Sequence, residues 1–215
     1  MLTSRRYNPI DHVLIELDHA ARTLLGKPPA PRREYPAARL DDPELTAGAR
    51  RLAARLMRIN HAGEISAQAL YRGQAAVART GRIRDRMMRA ADEEQDHLAW
   101  CAARLHELGG APSRLDPAWY LGSFAIGALA GLAGDRYSLG FVAETERQVE
   151  RHLDGHLRRL PANDVRSRGV LEIMQQDEVR HGRAATQAGG KRLPRSVQKA
   201  MRWTSKVMTT LAFWI

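Results

Sequence analysis

An all-α bundle is the fold class that this sequence predicts, and three observations predict it. Apolar residues recur at helical spacing in long segments punctuated by Gly and Pro. Ala, Leu and Arg recur throughout, while stretches rich in Val, Ile and Thr are nearly absent. The pattern Glu-x-x-His, which sets two side chains on one face of a helix, occurs three times. With 215 residues the chain has room for one domain with a sizeable core and a short appended segment.

The elements follow in order. Pro9 to Leu25 reads as a short leading helix that stops at Gly26. Lys27 to Pro36, with Pro28, Pro29, Pro31 and Pro36, reads as a semi-rigid linker. A helix is predicted from Asp42 to about Arg79, with Pro43 in its first turn and Thr80-Gly81 at its end, and another from Ile83 to Leu108, stopped by Gly109-Gly110. Pro117 to Gly134 holds 18 consecutive uncharged residues, the lower limit for crossing a bilayer, and is expected to be a bundle or interface helix. Helices from Arg136 to Leu160 and from Asp164 to Ala188 end at Pro161 and at Gly189-Gly190, and Pro194 opens a last one that runs nearly to Ile215. The expected division is 1–40 for the leading helix and linker, 41–190 for the bundle, and 191–215 for an amphipathic helix packed on the bundle or on a membrane.

The net charge of +10 suits an anionic surface, nucleic acid or lipid. Basic residues are spread among acids with no aromatic-basic stripe, so nucleic acid is not an expected partner. Cys101 is the only cysteine, which excludes an intramolecular disulfide framework and a CxxC metal site; any metal must be held by oxygen and nitrogen. Arg5 and Arg6 are followed by Asp11, Glu16 and Asp18 instead of an apolar core, so no secretory signal is expected and the cytoplasmic side is the default.

Glu-x-x-His falls at Glu16/His19, Glu94/His97 and Glu178/His181, whereas 12 Glu and 8 His placed at random give about 0.45 occurrences. Helical two-metal carboxylate sites need two such helices and one further Glu from each of two others. Those acids exist: Glu64 lies 30 residues before Glu94, and Glu146 lies 32 before Glu178, so the chain reads as two similar helical hairpins. Glu93-Glu94-Gln-Asp-His97 and Asp177-Glu178-Val-Arg-His181 reinforce the duplication. Glu16/His19 precedes the linker, has no partner helix and is read as ordinary surface or structural residues. Glu144 competes with Glu146, but the two lie about 200° apart round a helix, and Glu146 is preferred. Four carboxylates and two imidazoles favour iron over zinc or magnesium, while spacing alone also admits manganese. Asp177 and Glu93 are placed either to orient the histidines or to make surface salt bridges, and neither is assigned.

The run Arg58-Ile-Asn-His-Ala-Gly-Glu64-Ile-Ser-Ala, with Glu94-Gln-Asp-His97, Glu146 and Asp177-Glu178-Val-Arg-His181, resembles the demethoxyubiquinone hydroxylase family over about residues 40–215. The opening Ser4-Arg-Arg-Tyr-Asn-Pro-Ile-Asp11 and the proline linker look like bacterial members of that family. The resemblance implies a ferritin-like four-helix bundle with extra apolar, membrane-interface helices and a di-iron centre on Glu64, Glu94, His97, Glu146, Glu178 and His181. It implies hydroxylation of the quinone ring of demethoxyubiquinol with O2, with electrons from NADH, directly or through the quinone. His152 matches a family histidine suggested as a proton or electron relay, although this chain has Leu153 where some members have tyrosine. No Gly-x-Gly-x-x-Gly fingerprint or P-loop offers a place for NADH.

A polyprenyl quinone lives in the bilayer, so an apolar entrance is expected at 117–134, its glycines leaving room for the tail. Lys199 to Ile215, with Trp203 and Trp214, reads as an interfacial anchor or as a core helix, and the protein is expected on the cytoplasmic face of the cell membrane as a peripheral protein. A homo-oligomer or an assembly of biosynthetic partners stays open. Two other readings compete: a ferritin-like iron oxidase or peroxidase, which lacks the apolar third helix, and a non-catalytic lipid-binding helical protein, which binds no metal.

Overall fold

Capping chemistry decides where the helices begin. The computed structural model describes residues 8–25 and 31–215 and, among these, holds seven α-helices and no strand: α1 (Pro9–Leu25), α2 (Ala47–Ala76), α3 (Gly81–Glu107), α4 (Asp116–Leu132), α5 (Asp135–Arg159), α6 (Val165–Gln187) and α7 (Arg195–Trp214). The Ser4–Tyr7 opening and the first part of the linker, 26–30, lie outside the described residues. Helix α2 starts four residues later than Pro43, because the Thr46 hydroxyl accepts from the Ala49 N–H at 3.3 Å and so fixes the first turn. Pro43 therefore precedes the helix instead of occupying its first turn. Thr80 does not end α2, which stops at Ala76; it caps α3, accepting from the Ile83 N–H at 3.4 Å while its own hydroxyl donates to Asp135 at 2.9 Å. Gly109 and Gly189, at φ 70° and 97°, close α3 and α6 as expected.

Short turns pair α2 with α3 and α5 with α6, and α3 packs on α6 to close a four-helix bundle. Helix α4 is the crossover between the two hairpins and lies chiefly on α2. Its glycines are what allow this: a Cβ on Gly127 would meet the Leu70 carbonyl oxygen at 2.1 Å, and one on Gly73 of α2 would meet that of Phe124 at 2.1 Å. The expectation that the α4 glycines leave room for a lipid tail is thus corrected for Gly127 and Gly131, which face α2. Gly122 alone among the α4 glycines faces open space.

Two apolar clusters fill the bundle. Met57, Trp100, Cys101, Leu153 and Leu171 belong to one, and Tyr71, Met87, Leu139 and Ala185 to the other. A polar layer separates them, and its register is the same in all four helices. Glu64 lies midway between Met57 and Tyr71, Glu94 between Met87 and Cys101, Glu146 between Leu139 and Leu153, and Glu178 between Leu171 and Ala185, always seven residues from each. Two helical turns return a side chain to nearly the same face, so each glutamate is held on the inward stripe by the buried residues above and below it.

Around this frame, α1 packs Ala20 and Leu24 against Ile65, Leu98 and Tyr120. Helix α7 buries one residue near each end, Gln198 and Ala212, and leaves Trp203 68% exposed between them. Residues 31–40, read from sequence as linker, lie against the bundle with Ala37 fully buried. Among the described residues no helix is long and apolar enough to cross a membrane.

Candidate metal centre and adjoining cavity

The polar layer brings together all six residues that the spacing selected. Ligand atoms of Glu64, Glu94, His97 and Glu178 lie within 4.8 Å of one another, as do those of Glu94, Glu146, Glu178 and His181. The two groups share Glu94 and Glu178, so the set is suited to two neighbouring cations with two common carboxylates. His97 Nδ1 lies 2.9 Å from Glu94, 3.5 Å from Glu178 and 3.6 Å from Glu64. Buried polar atoms normally find hydrogen-bond partners. Here Glu64 Oε2, Glu94 Oε1, Glu146 Oε1 and His181 Nδ1 are buried without one, all turned into the same space. Hard oxygen donors and imidazole nitrogen left unsatisfied in one pocket are a fit for hard divalent metal ions.

The electrostatics point the same way. Burial lifts the carboxyl pKa of Glu64 and Glu146 well above the ordinary range, and the Glu178 charge adds to it at Glu146. Burial would lift Glu94 too, but the two imidazolium charges hold it below its usual value. Burial would lower the histidines; the surrounding carboxylates overcome it, taking His97 well up and His181 to about 10. Protons thus supply the positive charge that four buried acids demand, and metal ions would displace them.

Each histidine is held from behind by the opposite hairpin. His97 Nε2 on α3 is 2.9 Å from Asp177 Oδ2 on α6, and His181 Nε2 on α6 is 2.7 Å from Glu93 Oε2 on α3. The acid directly before each ligand glutamate therefore crosses to the other helix's imidazole, which turns both Nδ1 atoms to the cluster. Glu144 is not part of it: buried on the α7 side, it pairs with Arg147 and accepts from Gln148 at 2.7 Å. Glu16 and His19 are also remote. Glu16 accepts two hydrogen bonds, at 2.7 and 3.0 Å, from the buried Arg72, so this third Glu-x-x-His anchors α1.

Beside the cluster, α2, α4, α5 and α7 enclose a cavity of about 550 Å³. Its walls are apolar, with Ile59, Trp119, Ile126, Phe141, Met201 and Met208, and its polar floor includes Glu64, Glu146 and Glu178. His152 also lines it, its ring centroid 3.9 Å from that of His156 in an edge-on arrangement. His156 Nδ1 in turn meets Asn60 Oδ1 at 2.9 Å. Burial lowers the His152 pKa to about 4 and that of His156 below its ordinary value, so both rings are neutral near pH 7.

The chain matches the family model described as "Ubiquinone biosynthesis protein COQ7" over residues 51–212, from α2 into α7. This chain belongs to the COQ7 family. Similar proteins carry the name 3-demethoxyubiquinol 3-hydroxylase. That of Xanthomonas euvesicatoria pv. vesicatoria is 55% identical over 98% of this chain and 96% of its own. That of Coxiella burnetii is 52% identical over 99% and 98%, and that of Nitrosococcus oceani 51% over the full length of both. Within this COQ7 chain the Asn60-His-Ala-Gly-Glu64 run has a distributed use. Asn60 holds His156, His61 Nδ1 stands 3.4 Å from Asp116 at the start of α4, Gly63 lines the cavity, and Glu64 enters the cluster. Sequence reasoning missed Asn60 and His156. The available signal was spacing, since Asn60 precedes Glu64 by one turn and His156 follows His152 by one turn.

Proposed function

We propose that this COQ7-family chain hydroxylates the quinol ring of 3-demethoxyubiquinol, using O2 and two iron ions held by Glu64, Glu94, His97, Glu146, Glu178 and His181. Glu94 and Glu178, common to both donor groups, would be shared by the two ions, with Glu64 and His97 in one group and Glu146 and His181 in the other. The observation that carries the reading is adjacency: three of the six carboxylate and imidazole ligands are also the floor of an apolar cavity large enough for an aromatic ring and part of a tail. An iron oxidase has no use for such a cavity.

The iron pair, when bound, supplies redox-active charge for using dioxygen. One oxygen atom enters a ring C–H bond to give C–OH, the other leaves as water, and NADH with one proton supplies the two electrons. The chain's own residues do the rest. Phe141, Ile126 and the methionines exclude water from the ring. His152 Nε2, buried and without a partner, is the atom placed to accept a hydrogen bond from a quinol hydroxyl, its ring braced by His156 and Asn60. The tail leaves between α4 and α7 towards the cytoplasmic leaflet, on which the protein rests peripherally. Leu121, Leu129 and Leu132 are exposed on α4, and α7 carries the exposed Arg195, Lys199, Arg202 and Lys206 at helical spacing beside Trp203.

The test is oxygen-dependent conversion of short-tailed 3-demethoxyubiquinol by iron-loaded protein with NADH, followed by mass. A product heavier by one oxygen, labelled from 18O2, is expected. Two bound irons without product would replace this reading by an iron oxidase, and a chain that takes up no metal would remove the site altogether.

A further inference from the structure

The metal cluster has a brace that lies outside the bundle. Where α3 and α6 meet, residues 31–35 cross the outer wall, and the Arg32 backbone N–H donates to Asp96 Oδ1 at 2.6 Å. Arg33 donates from Nε to Asp96 Oδ2 at 3.0 Å and from Nη1 to Asp177 Oδ2 at 2.7 Å, with its guanidinium 4.6 Å from the centre of the Trp100 ring. That Asp177 oxygen is the same atom that meets His97 Nε2. Arg180 occupies the other Asp177 oxygen at 2.6 Å. The second imidazole is supported differently: Glu93, behind His181, is half exposed and, among the described residues, takes no hydrogen bond from an arginine.

We infer that Arg33 is a positioning residue for the metal centre, acting through Asp177 on His97. A carboxylate gripped at both oxygens by guanidinium groups is held in one orientation. It therefore accepts the His97 Nε2–H in one geometry, and Nδ1 stays aimed at the cluster. Because Arg33 also spans to Asp96 and stacks on Trp100, the grip needs a planar fork of the right length; a lysine reaches one carboxylate at a time. The two halves of the centre are thereby made unequal, with the acid behind one imidazole gripped by arginines and the acid behind the other not. Arg33 precedes residues 51–212, so the family match does not include it.

The inference rests on the six-ligand reading, and the experiment separates the two. Metal-free wild type, Arg33→Gln and Arg33→Lys are titrated with Co(II), the visible absorption of the bound ion is followed, and each metal-free protein is melted. Wild type is expected to take two equivalents. Arg33→Gln should weaken one of them by about tenfold to a hundredfold and change that ion's spectrum, with the other equivalent little altered and Arg33→Lys recovering part of the loss. A lower melting temperature with both binding constants and the spectrum unchanged would mean that Arg33 only ties down the segment, which overturns the inference and leaves the site reading standing. Failure of wild type to bind Co(II) overturns both.

Discussion

The two walls of the cluster are built on opposite principles. On the α2/α5 side each helix offers a single glutamate, and Glu64 and Glu146, with Glu178, look into an apolar-walled cavity. On the α3/α6 side each helix offers a glutamate and a histidine, and behind the histidines stand Asp177, gripped by Arg33 and Arg180, and Glu93. One wall is shaped to receive a hydrophobic ring, the other to set the geometry and charge of the ligands. Beyond the six ligands themselves, metal affinity is therefore expected to respond mostly to changes on the charged wall, and substrate affinity mostly to changes on the apolar one.

The change with the largest expected effect removes the distinction. Glu178 belongs to both donor groups and to the cavity floor, so Glu178→Ala should lose both irons and lower hydroxylation on the order of a thousandfold. The metal-free variant should melt no lower than metal-free wild type, since one of four mutually repelling carboxylates is gone; iron analysis and calorimetry check this, and full iron content would remove Glu178 from the ligand set. Asp177→Asn acts on the charged wall alone, and about tenfold to a hundredfold weaker metal binding with an unchanged KM for quinol is expected. A raised KM with normal iron content would erase the contrast between the walls.

On the apolar wall, His152 gives a pH signature. Its folded pKa of about 4 lies below the ordinary value of 6.5, so the unfolded chain binds more protons between those limits, and stability falls as pH drops from 6.5 towards 4. Unfolding free energies from urea titrations at pH 6.5 and 5 should differ by up to about 2 kcal/mol more in wild type than in His152→Leu; equal differences would show that the ring is not buried and neutral. Gly122 opens on the cavity with no atom near its missing Cβ, and Gly122→Leu should raise KM about tenfold, a difference of about 1.4 kcal/mol, without loss of iron. The smallest effect is at the membrane. Lys206→Ala should weaken sedimentation with anionic vesicles by about fivefold while turnover of a short-tailed, soluble quinol is unchanged.

The six cluster residues were legible because their chemistry is local to a helix: Glu and His three apart share a face whatever the helix packs against. A second local signal went unread. The seven-residue flanks of each glutamate are apolar at Glu64, Glu94, Glu146 and Glu178, whereas the corresponding flanks of Glu144 are Tyr137 and Arg151, which settles that choice without reference to angles round a helix. What was not legible depends on how helices cross. Asp177 and Glu93 could be salt-bridge residues or histidine supports until α3 and α6 were set side by side. Prolines in 27–36 restrict the backbone but say nothing of acids 63 and 144 residues further on that dock Arg33. The glycines of α4 likewise announce a close approach, and only packing tells that the neighbour at Gly127 is a backbone and not a lipid tail.

That backbone contact makes the cavity mechanically lopsided. With Gly73 and Gly127 interlocked, α4 cannot slide or lift without tearing two helices apart, so it serves as a fixed doorpost. Helix α7, with only Gln198 and Ala212 buried and its middle largely exposed, is the more loosely held side. Amide exchange should accordingly be faster along Arg195–Met208 than anywhere in α4, with the gap narrowing once a quinone fills the space between them.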